Sequence, residues 1–213
     1  MTEIISRIGE IGIVPVIVLD DPDVARPLAD ALAEGGLPCA EVTFRTPRAA
    51  EALQHMAQDS RLVVGAGTVL TVEQVDIAVK AGATYIVTPG YSRDVVRACQ
   101  ERGIPVIPGV ATPTEIQMAL QDGITVVKFF PAEAVGGTRT LSAIAAPFPG
   151  LRFIPTGGIS RDNLEDYLAL PCVLAVGGSW MAPARLVSEQ KWADVIRLAA
   201  EAVAIVARRL PTG

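Results

Sequence analysis

The sequence predicts an α/β fold, a (β/α)8 TIM barrel with an extra N-terminal helix, from three observations. A short apolar run typical of a β-strand recurs eight times along the 213 residues, and a helical segment follows each run. Glycine often stands just before the next apolar run, which is a signal for the end of a helix. The runs are continuously apolar, as expected of parallel strands that are buried on both faces. Eight such units in about 200 residues favour a closed barrel in one domain over residues 1–213.

The individual elements follow from these runs in chain order. The predicted strands are Ile13 to Leu19, Cys39 to Thr43, Leu62 to Ala66, Thr84 to Gly90, Ile104 to Gly109, Ile124 to Phe130, Arg152 to Pro155 and Val173 to Gly177. Gly82, Gly103 and Gly123 lie about 20 residues apart, which fits one short strand plus one helix. Thr2 to Glu10 is predicted as the extra leading helix. Lys191 to Arg208 is predicted as the last helix, because its apolar residues follow a helical period.

An open, doubly wound sheet is the alternative fold. Such a sheet would be expected to carry a glycine fingerprint for a nucleotide after an early strand. Gly65-Ala-Gly67 begins this fingerprint, but Leu70 stands where its third glycine is required. The barrel is therefore the preferred prediction.

Composition and charge exclude several kinds of partner. Half of the residues are apolar, which suffices for a full core, yet no apolar run reaches membrane length. The longest candidate, Ile11 to Leu19, is short and is interrupted by Pro15. The net charge is −5 without blocks of like charge, so we expect no basic stripe that would bind nucleic acid. We expect no secretory signal after Met1, and three widely spaced cysteines fit a reducing cytoplasm.

A single histidine, His55, argues against zinc chemistry. Catalytic zinc sites typically use two or three histidines, and His55 lies in a predicted helix, Ala49 to Gln58, as an ordinary surface residue. A cysteine nucleophile would also need a basic partner, which makes it a minor alternative. We therefore predict an enzyme without metal or cofactor, while an all-carboxylate magnesium site stays open.

Lys128 is the residue on which the functional prediction depends. The chain has three lysines, and Lys80 and Lys191 occupy ordinary helix-end positions. Lys128 instead lies inside the apolar sixth strand, near its C-terminal end, where Pro131 stops the run. Barrel enzymes carry out their chemistry at that end of the strands. Apolar burial favours the uncharged amine, the form that attacks a ketone, so we predict a Schiff-base lysine; a structural ion pair is the alternative.

Charged residues on the second strand are the predicted partners of this lysine. Glu41, Thr43 and Arg45 share one face of that strand by alternation. Glu41 suits proton transfer during imine formation and carbon–carbon cleavage. Arg45 suits a substrate carboxylate, which its guanidinium can bind through two hydrogen bonds. The alternative is that Glu41 and Arg45 only pair with each other.

Two Gly-Gly turns follow the last two predicted strands, at Pro155 to Ser160 and Val176 to Trp180. Glycine lets backbone N–H groups crowd around an anion, and these two loops are the usual phosphate site of this barrel. Ordinary tight turns are the alternative. Together with Lys128, the turns predict a keto acid with a distal phosphate. Thr68 and Pro89 end the third and fourth strands, where they either line the pocket or serve as turn residues.

Seven stretches of the sequence together match a known family. They are Glu41 to Thr46, Gly65 to Leu70, Thr88 to Gly90, Ile107 to Gly109, Lys128 to Glu133, Pro155 to Gly158 and Gly177 to Trp180. On these stretches the chain resembles the 2-keto-3-deoxy-6-phosphogluconate and 4-hydroxy-2-oxoglutarate aldolases, from about Ile13 to the C-terminal helix. The stretch Lys-Phe-Phe-Pro-Ala-Glu is the most specific of the seven.

The resemblance implies a class I aldolase on a barrel, a homotrimer in the cytoplasm. It implies that Lys128 forms the Schiff base, that Glu41 acts as acid and base, and that Arg45 and Thr68 surround the pyruvate carboxylate. The implied pocket and phosphate residues are Pro89, Phe130, Thr156, Gly157, Gly158, Gly178 and Ser179. The implied reaction cleaves 2-dehydro-3-deoxy-6-phosphogluconate to pyruvate and glyceraldehyde 3-phosphate, the closing step of the Entner–Doudoroff route. The family also cleaves 4-hydroxy-2-oxoglutarate to pyruvate and glyoxylate.

Two positions depart from the family pattern. Phe44 stands where many relatives have leucine, and we expect it to face the helices with little effect. Val18 stands where some relatives have arginine, which leaves open how tightly the anion is bound. Three other functions also stay open: a 6-phosphogalactonate aldolase, which differs in C4 stereochemistry, a phosphosugar epimerase or isomerase that forms no imine, and a non-catalytic sensor of a phosphorylated ligand.

Overall fold

The computed structural model describes residues 2–208; Met1 and residues 209–213 of the predicted domain lie outside this range. Within it the strands are β1 (Ile13–Ile17), β2 (Cys39–Thr43), β3 (Val63–Gly67), β4 (Tyr85–Val87), β5 (Val106–Ile107), β6 (Gly109–Val110), β7 (Val126–Phe129), β8 (Arg152–Pro155) and β9 (Val176–Gly178). The helices are α1 (Glu3–Ile11), α2 (Ala25–Glu34), α3 (Ala49–Ala57), α4 (Val72–Lys80), α5 (Arg93–Glu101), α6 (Pro113–Gln121), α7 (Gly137–Ala145), α8 (Leu164–Leu168), α9 (Ala184–Ser188) and α10 (Trp192–Val206). A short 3-10 helix covers Pro22–Val24.

The described strands form two parallel sheets. One sheet has six strands in the order β5-β4-β3-β2-β1-β9, and the other has three in the order β6-β7-β8. Each of the strand pairs in these ladders is parallel. The predicted α/β class with alternating parallel strands and helices is therefore confirmed, and the hydrogen-bonded ladders are divided into two sheets.

Pro108 explains why the described residues form nine strands, although eight were predicted. It divides the predicted strand Ile104 to Gly109 into β5 and β6, because proline has no backbone N–H to donate to a neighbouring strand. Its carbonyl still accepts a hydrogen bond from the backbone N–H of Lys128 at 2.9 Å. The two halves pair to opposite sides, β5 with β4 and β6 with β7. One sheet thus ends within two residues of the place where the other begins.

The helix ends follow ordinary capping chemistry. Thr2 caps α1, since its side chain accepts a hydrogen bond from the Ile5 N–H, and Gly12 ends the helix at φ +75°. Thr112 and Glu115 form a reciprocal capping box at the start of α6. These local signals lie in the sequence itself, so the predicted leading helix agrees with α1 to within one residue and the predicted last helix with α10 to within two.

The core consists of the strands and the inner faces of the helices. All five residues of β2 are buried, and all but Glu41 have small or apolar side chains. Burial also raises the pKa of the Cys39 thiol and that of Cys99, the latter to about 12, so both stay protonated and weakly nucleophilic at neutral pH. None of the helices described here is long and apolar enough to cross a membrane.

Candidate active site

Lys128 and Glu41 form a buried ion pair between the two sheets. Lys128 lies in β7 of the three-stranded sheet, and Glu41 lies in β2 of the six-stranded sheet. The Nζ atom of Lys128 donates a hydrogen bond to Oε1 of Glu41 at 3.1 Å, and each side chain is only 5% exposed. The structure therefore pairs Glu41 with Lys128 and not with Arg45, the alternative that the sequence had left open.

The other two lysines have ordinary surroundings. Lys80 is exposed at the last turn of α4. Lys191 is also exposed and pairs with Glu189 at 2.7 Å on the surface. Lys128 is thus the lysine of this chain whose amine is enclosed, which agrees with the distinction drawn from the sequence.

Phe130 connects the amine to the first Gly-Gly turn. The Nζ atom of Lys128 lies 5.2 Å from the centroid of the Phe130 ring, within the range of a cation–π contact. A Cβ atom placed on Gly157 would lie 3.3 Å from the same ring, so the ring packs directly against that turn. Phe130 consequently lies between the amine and the first predicted phosphate turn.

Arg45 and Thr68 meet at the ends of β2 and β3. Because β2 ends at Thr43, Arg45 lies in the following turn, exposed, and its Nε donates to the Thr68 hydroxyl at 3.3 Å. Thr68 directly follows β3 with φ +57°, a left-handed conformation that is unusual for a β-branched residue. The hydroxyl of Thr43 instead donates to the carbonyl of Ile17 at 2.9 Å. The predicted pair of carboxylate-binding residues is therefore brought together, and Thr43 has a structural contact.

The two predicted phosphate turns adjoin each other. Thr156 at the end of β8 bridges to Gly177 in β9, and the backbone N–H of Glu133 donates to the Gly157 carbonyl at 3.0 Å. Gly157 and Gly158 both have left-handed φ values, +101° and +78°, which favour glycine. Gly158 is exposed, so its backbone faces solvent.

The second predicted turn is shorter than expected, because Gly177 and Gly178 belong to strand β9 and pair with β1, so only Ser179 and Trp180 lie in the turn. Gly178 is buried and Ser179, which follows it, is exposed. The helices that follow the two turns, α8 and α9, have only five residues each. Their dipoles are correspondingly short, so neither helix offers a strong positive end in this region.

Thr88 is a residue of this region that the sequence reasoning did not single out. It is buried between β4 and Pro89, its hydroxyl donates to the Gly90 carbonyl at 2.6 Å, and it accepts a hydrogen bond from the Gly109 N–H at 3.2 Å. It thereby fixes the half-buried Pro89 beside β6. The sequence signal for this role is a threonine directly before Pro-Gly at a strand end. The same three residues also occur in turns that have no part in a site, so the signal alone does not distinguish the two.

Two further sequence expectations concern residues elsewhere. His55 lies in α3, and its Nδ1 is hydrogen-bonded to the Pro22 carbonyl at 3.0 Å, outside the group of residues above. Among residues 2–208 no group of three or more His, Cys, Asp or Glu side chains is arranged to hold a metal ion. Val18, just beyond β1, is 38% exposed.

Comparison with known proteins gives matches over most of the chain. The family described as KDPG and KHG aldolase matches residues 4–198. A 2-dehydro-3-deoxy-phosphogluconate aldolase of Treponema pallidum is 48% identical over 97% of this chain and 99% of its own length. Two solved structures superpose with a TM-score of 0.90.

The first is the 2-keto-3-deoxy-6-phosphogluconate aldolase of Zymomonas mobilis with 3-phosphoglycerate, at 40% identity, covering 94% of this chain and 95% of its own. The second is the KDPG aldolase of Legionella pneumophila with pyruvate captured as a covalent carbinolamine, at 41% identity, covering 93% of this chain and 97% of its own. With a family match over most of its length and relatives at this level of identity, the chain belongs to the KDPG and KHG aldolase family.

Proposed function

We propose that this protein is a class I aldolase that cleaves 2-dehydro-3-deoxy-6-phosphogluconate to pyruvate and glyceraldehyde 3-phosphate through a Schiff base on Lys128. The observation that carries the proposal is the enclosed pair of an amine and a carboxylate, 3.1 Å apart and each 5% exposed. An amine that forms an imine needs a neighbouring group to exchange protons with, and Glu41 is that neighbour.

Imine formation can be followed proton by proton. Glu41 takes a proton from Lys128, and the freed Nζ adds to the C2 carbonyl of the substrate. A proton passes from nitrogen to the former carbonyl oxygen, which gives a carbinolamine. Glu41 then returns its proton to the departing hydroxyl, so water leaves and an iminium remains. The Legionella relative holds pyruvate as a carbinolamine, the first of these intermediates, which supports this route.

Carbon–carbon cleavage uses the iminium as an electron sink. Glu41, directly or through a water molecule, takes the proton of the C4 hydroxyl. The C3–C4 bond breaks, its electron pair moves towards the iminium nitrogen, and the aldehyde leaves from an enamine. Glu41 then gives its proton to C3, and hydrolysis of the resulting iminium releases pyruvate and restores Lys128. Covalent catalysis of this kind divides one difficult step into several easier ones.

Substrate orientation is assigned to the residues around the pair. Arg45 and Thr68, in contact at the mouth, bind the carboxylate of the keto acid. Pro89, Phe130 and Thr156 line the pocket. The adjoining turns with Gly157, Gly158, Gly178 and Ser179 bind the distal phosphate through backbone N–H groups and the serine hydroxyl. Correct orientation of this kind contributes up to about 7 to 11 kcal/mol to catalysis.

We further propose that the two sheets form one closed (β/α)8 barrel and one domain over residues 1–213. The chain passes from β5 to β6 through Pro108 alone, and isolated bridges at Phe153↔Val173 and Thr156↔Gly177 link β8 to the segment around β9. Counting β5 and β6 as one interrupted strand gives the eight strands of such a barrel. A homotrimer in the cytoplasm, without metal, cofactor or nucleic acid, completes the proposal by analogy with the family.

Borohydride trapping tests the function. Incubation with pyruvate and sodium borohydride reduces the iminium and leaves a stable mass on its lysine, which we expect in the Lys128 peptide. Lys80→Arg is the matched control and retains the adduct, whereas Lys128→Arg abolishes it. An adduct on Lys80 would overturn the assignment. Intact phosphate binding without an adduct would favour the epimerase or isomerase, and failure to release pyruvate would favour the sensor.

Three further measurements separate the remaining alternatives. Turnover of the two C4 epimers distinguishes the phosphogluconate aldolase from the 6-phosphogalactonate aldolase, because they differ only at that centre. Turnover of 4-hydroxy-2-oxoglutarate tests the second activity of the family. Treatment with a chelator is expected to leave cleavage unchanged, since the proposed electron sink is the iminium; a loss would point to a metal-enolate aldolase.

A further inference from the structure

Strand β3 has glycine, which has no side chain, at two positions on the same face. Gly65 and Gly67 are separated by one residue and therefore point to the same side of the sheet. A Cβ atom at Gly65 would lie 2.3 to 2.5 Å from ring atoms of Tyr85, which comes from β4. A Cβ atom at Gly67 would lie 2.2 Å from Oε1 of Glu41, 2.6 Å from its Cγ and 2.7 Å from its Cδ. The neighbouring strands thus fill the space that β3 leaves empty.

The strand register shows how Glu41 comes to lie over Gly67. In the ladder Glu41 is paired with Gly65, and Thr43 is paired with Gly67. The carboxyl end of Glu41 therefore leans along the strand, from the level of Gly65 to the level of Gly67, as side chains in sheets commonly do. This lean carries the carboxylate towards the C-terminal end of the strands, where it meets Nζ of Lys128.

Tyr85 fills the space over the other glycine of this face. Its ring occupies the space above Gly65, and its hydroxyl donates to the Ala40 carbonyl at 2.9 Å. The side chain is fully buried, which raises the pKa of Tyr85 well above its usual value, with smaller contributions from Cys39 and the negative charge of Glu41. The Tyr85 ring thus covers Gly65, and the Glu41 side chain covers Gly67.

We propose that Gly67 is a positioning residue of the active site: by having no side chain, it gives the Glu41 carboxylate the space in which it reaches Lys128. The inference rests on the proposed function, because it assumes that the position of Glu41 matters for turnover. It assigns to Gly67 no contact with substrate.

A purely structural role for this glycine makes a different prediction. A glycine inside a strand also serves where two backbones approach closely, and substitution there damages the fold. At Gly67 the atoms that a Cβ would meet belong to the end of a flexible side chain, which can turn away. At Gly65 they belong to a rigid, buried ring. Gly67→Ala is therefore expected to fold and lose activity, whereas Gly65→Ala is expected to lower the urea midpoint of unfolding.

The decisive experiment is a double-mutant cycle between Gly67→Ala and Glu41→Ala. In the wild-type background, we expect Gly67→Ala to lower kcat about 100-fold, the size of effect that a misplacement of about 1 Å produces. Pyruvate and borohydride are still expected to label Lys128 in this variant. In the Glu41→Ala background the added methyl group meets no carboxylate, so we expect Gly67→Ala to change the residual kcat by less than about twofold.

Each outcome bears on the positioning role, on the acid–base assignment or on both. Equal losses of kcat in both backgrounds, or full activity of Gly67→Ala, would overturn the positioning role while leaving Glu41 in place. Full activity of Glu41→Ala would overturn the acid–base assignment and the positioning role with it. If Gly67→Ala alone fails to fold, the folded double variant Gly67→Ala/Glu41→Ala supports the proposal, and an unfolded double variant contradicts it.

Discussion

Lys128 donates a hydrogen bond to Glu41 across 87 positions of sequence, and the two side chains come from different sheets. Removing two charges from water costs more than the pair regains unless the geometry is good, so a buried ion pair is weak evidence for stability alone. Here the pair lies among the residues that the family resemblance assigns to substrate binding. This arrangement is the basis of the proposed proton exchange between Glu41 and Lys128.

Glu41→Gln is expected to separate imine formation from turnover. The amide keeps the size of the side chain but cannot accept or donate the catalytic proton, so we expect kcat to fall by about 100-fold or more. Trapping of pyruvate on Lys128 with borohydride should still occur, although more slowly, because the nucleophile is intact and irreversible reduction collects the imine that forms. Steady-state kinetics and peptide mass spectrometry measure the two effects. Wild-type turnover in this variant would show that Glu41 is structural.

Arg45→Lys is expected to weaken binding of the keto acid. Lysine keeps the charge but lacks the planar fork that binds a carboxylate through two hydrogen bonds, so the KM is expected to rise about tenfold. The exposed Arg48, which makes two hydrogen bonds to Glu51, offers the matched control. Arg48→Lys should leave the KM unchanged. An equal KM in Arg45→Lys and wild type would remove Arg45 from the binding site.

Thr68→Gly is expected to weaken substrate binding and to stabilise the fold. Threonine at φ +57° is strained by about 1 to 3 kcal/mol, part of which is offset in glycine by its greater freedom in the unfolded chain. We expect the free energy of unfolding to rise by about 1 kcal/mol while the KM for the keto acid also rises. Thr68→Ala is the control, since it loses the hydroxyl but keeps the strain. A Thr68→Gly protein less stable than Thr68→Ala would contradict the strain.

Asp59→Asn is expected to remove a pH-dependent part of the stability. Hydrogen bonds from the Arg61 side chain, opposed by burial, lower the pKa of Asp59 from 3.8 to about 2. A carboxyl whose pKa is lower in the folded state stabilises the fold above its unfolded pKa, and this contribution disappears as the pH falls from about 3.8 towards 2. We expect Asp59→Asn to cost about 1 kcal/mol at pH 7 and progressively less below pH 4, by urea unfolding.

The control for this prediction is Asp30→Asn. Asp30 also pairs with Arg61, but its side chain is 54% exposed, so solvent screens the pair and its loss should cost less. A difference between Asp59→Asn and wild type that stays constant from pH 7 to pH 2.5 would show that the Asp59 charge contributes nothing.

Much of the fold could be predicted because its signals are local. The apolar runs, the glycines at helix ends and the caps such as Thr2 and Thr112 act within one or two turns of chain, so each reports the element in which it stands. The division of one strand at Pro108 could not be predicted with the same assurance. Proline only forbids one hydrogen bond, and which neighbours the two halves then choose depends on the whole sheet.

The candidate site could be predicted in its membership but not in its contacts. Alternation places Glu41 and Arg45 on one face of a strand, yet it does not say that Glu41 turns to Lys128 and Arg45 to Thr68. The left-handed conformation of Thr68 likewise has no local signature, because threonine rarely adopts it. The sequence shows Gly67 only as a part of a motif. The reason for a glycine at this position is evident only from the structure, in which the Glu41 side chain lies over it.

The sequence by itself determined the order of strands and helices, the lysine buried in an apolar strand and the glycine pairs at the ends of the last two strands. These are properties of periodicity and of residue type, which act over a few neighbouring residues. Only the tertiary structure decided that the amine of Lys128 faces the carboxylate of Glu41, 87 positions away, and that Gly67 of β3 leaves room for this carboxylate. Such contacts depend on the register and lean of side chains from strands that the chain brings together from far apart.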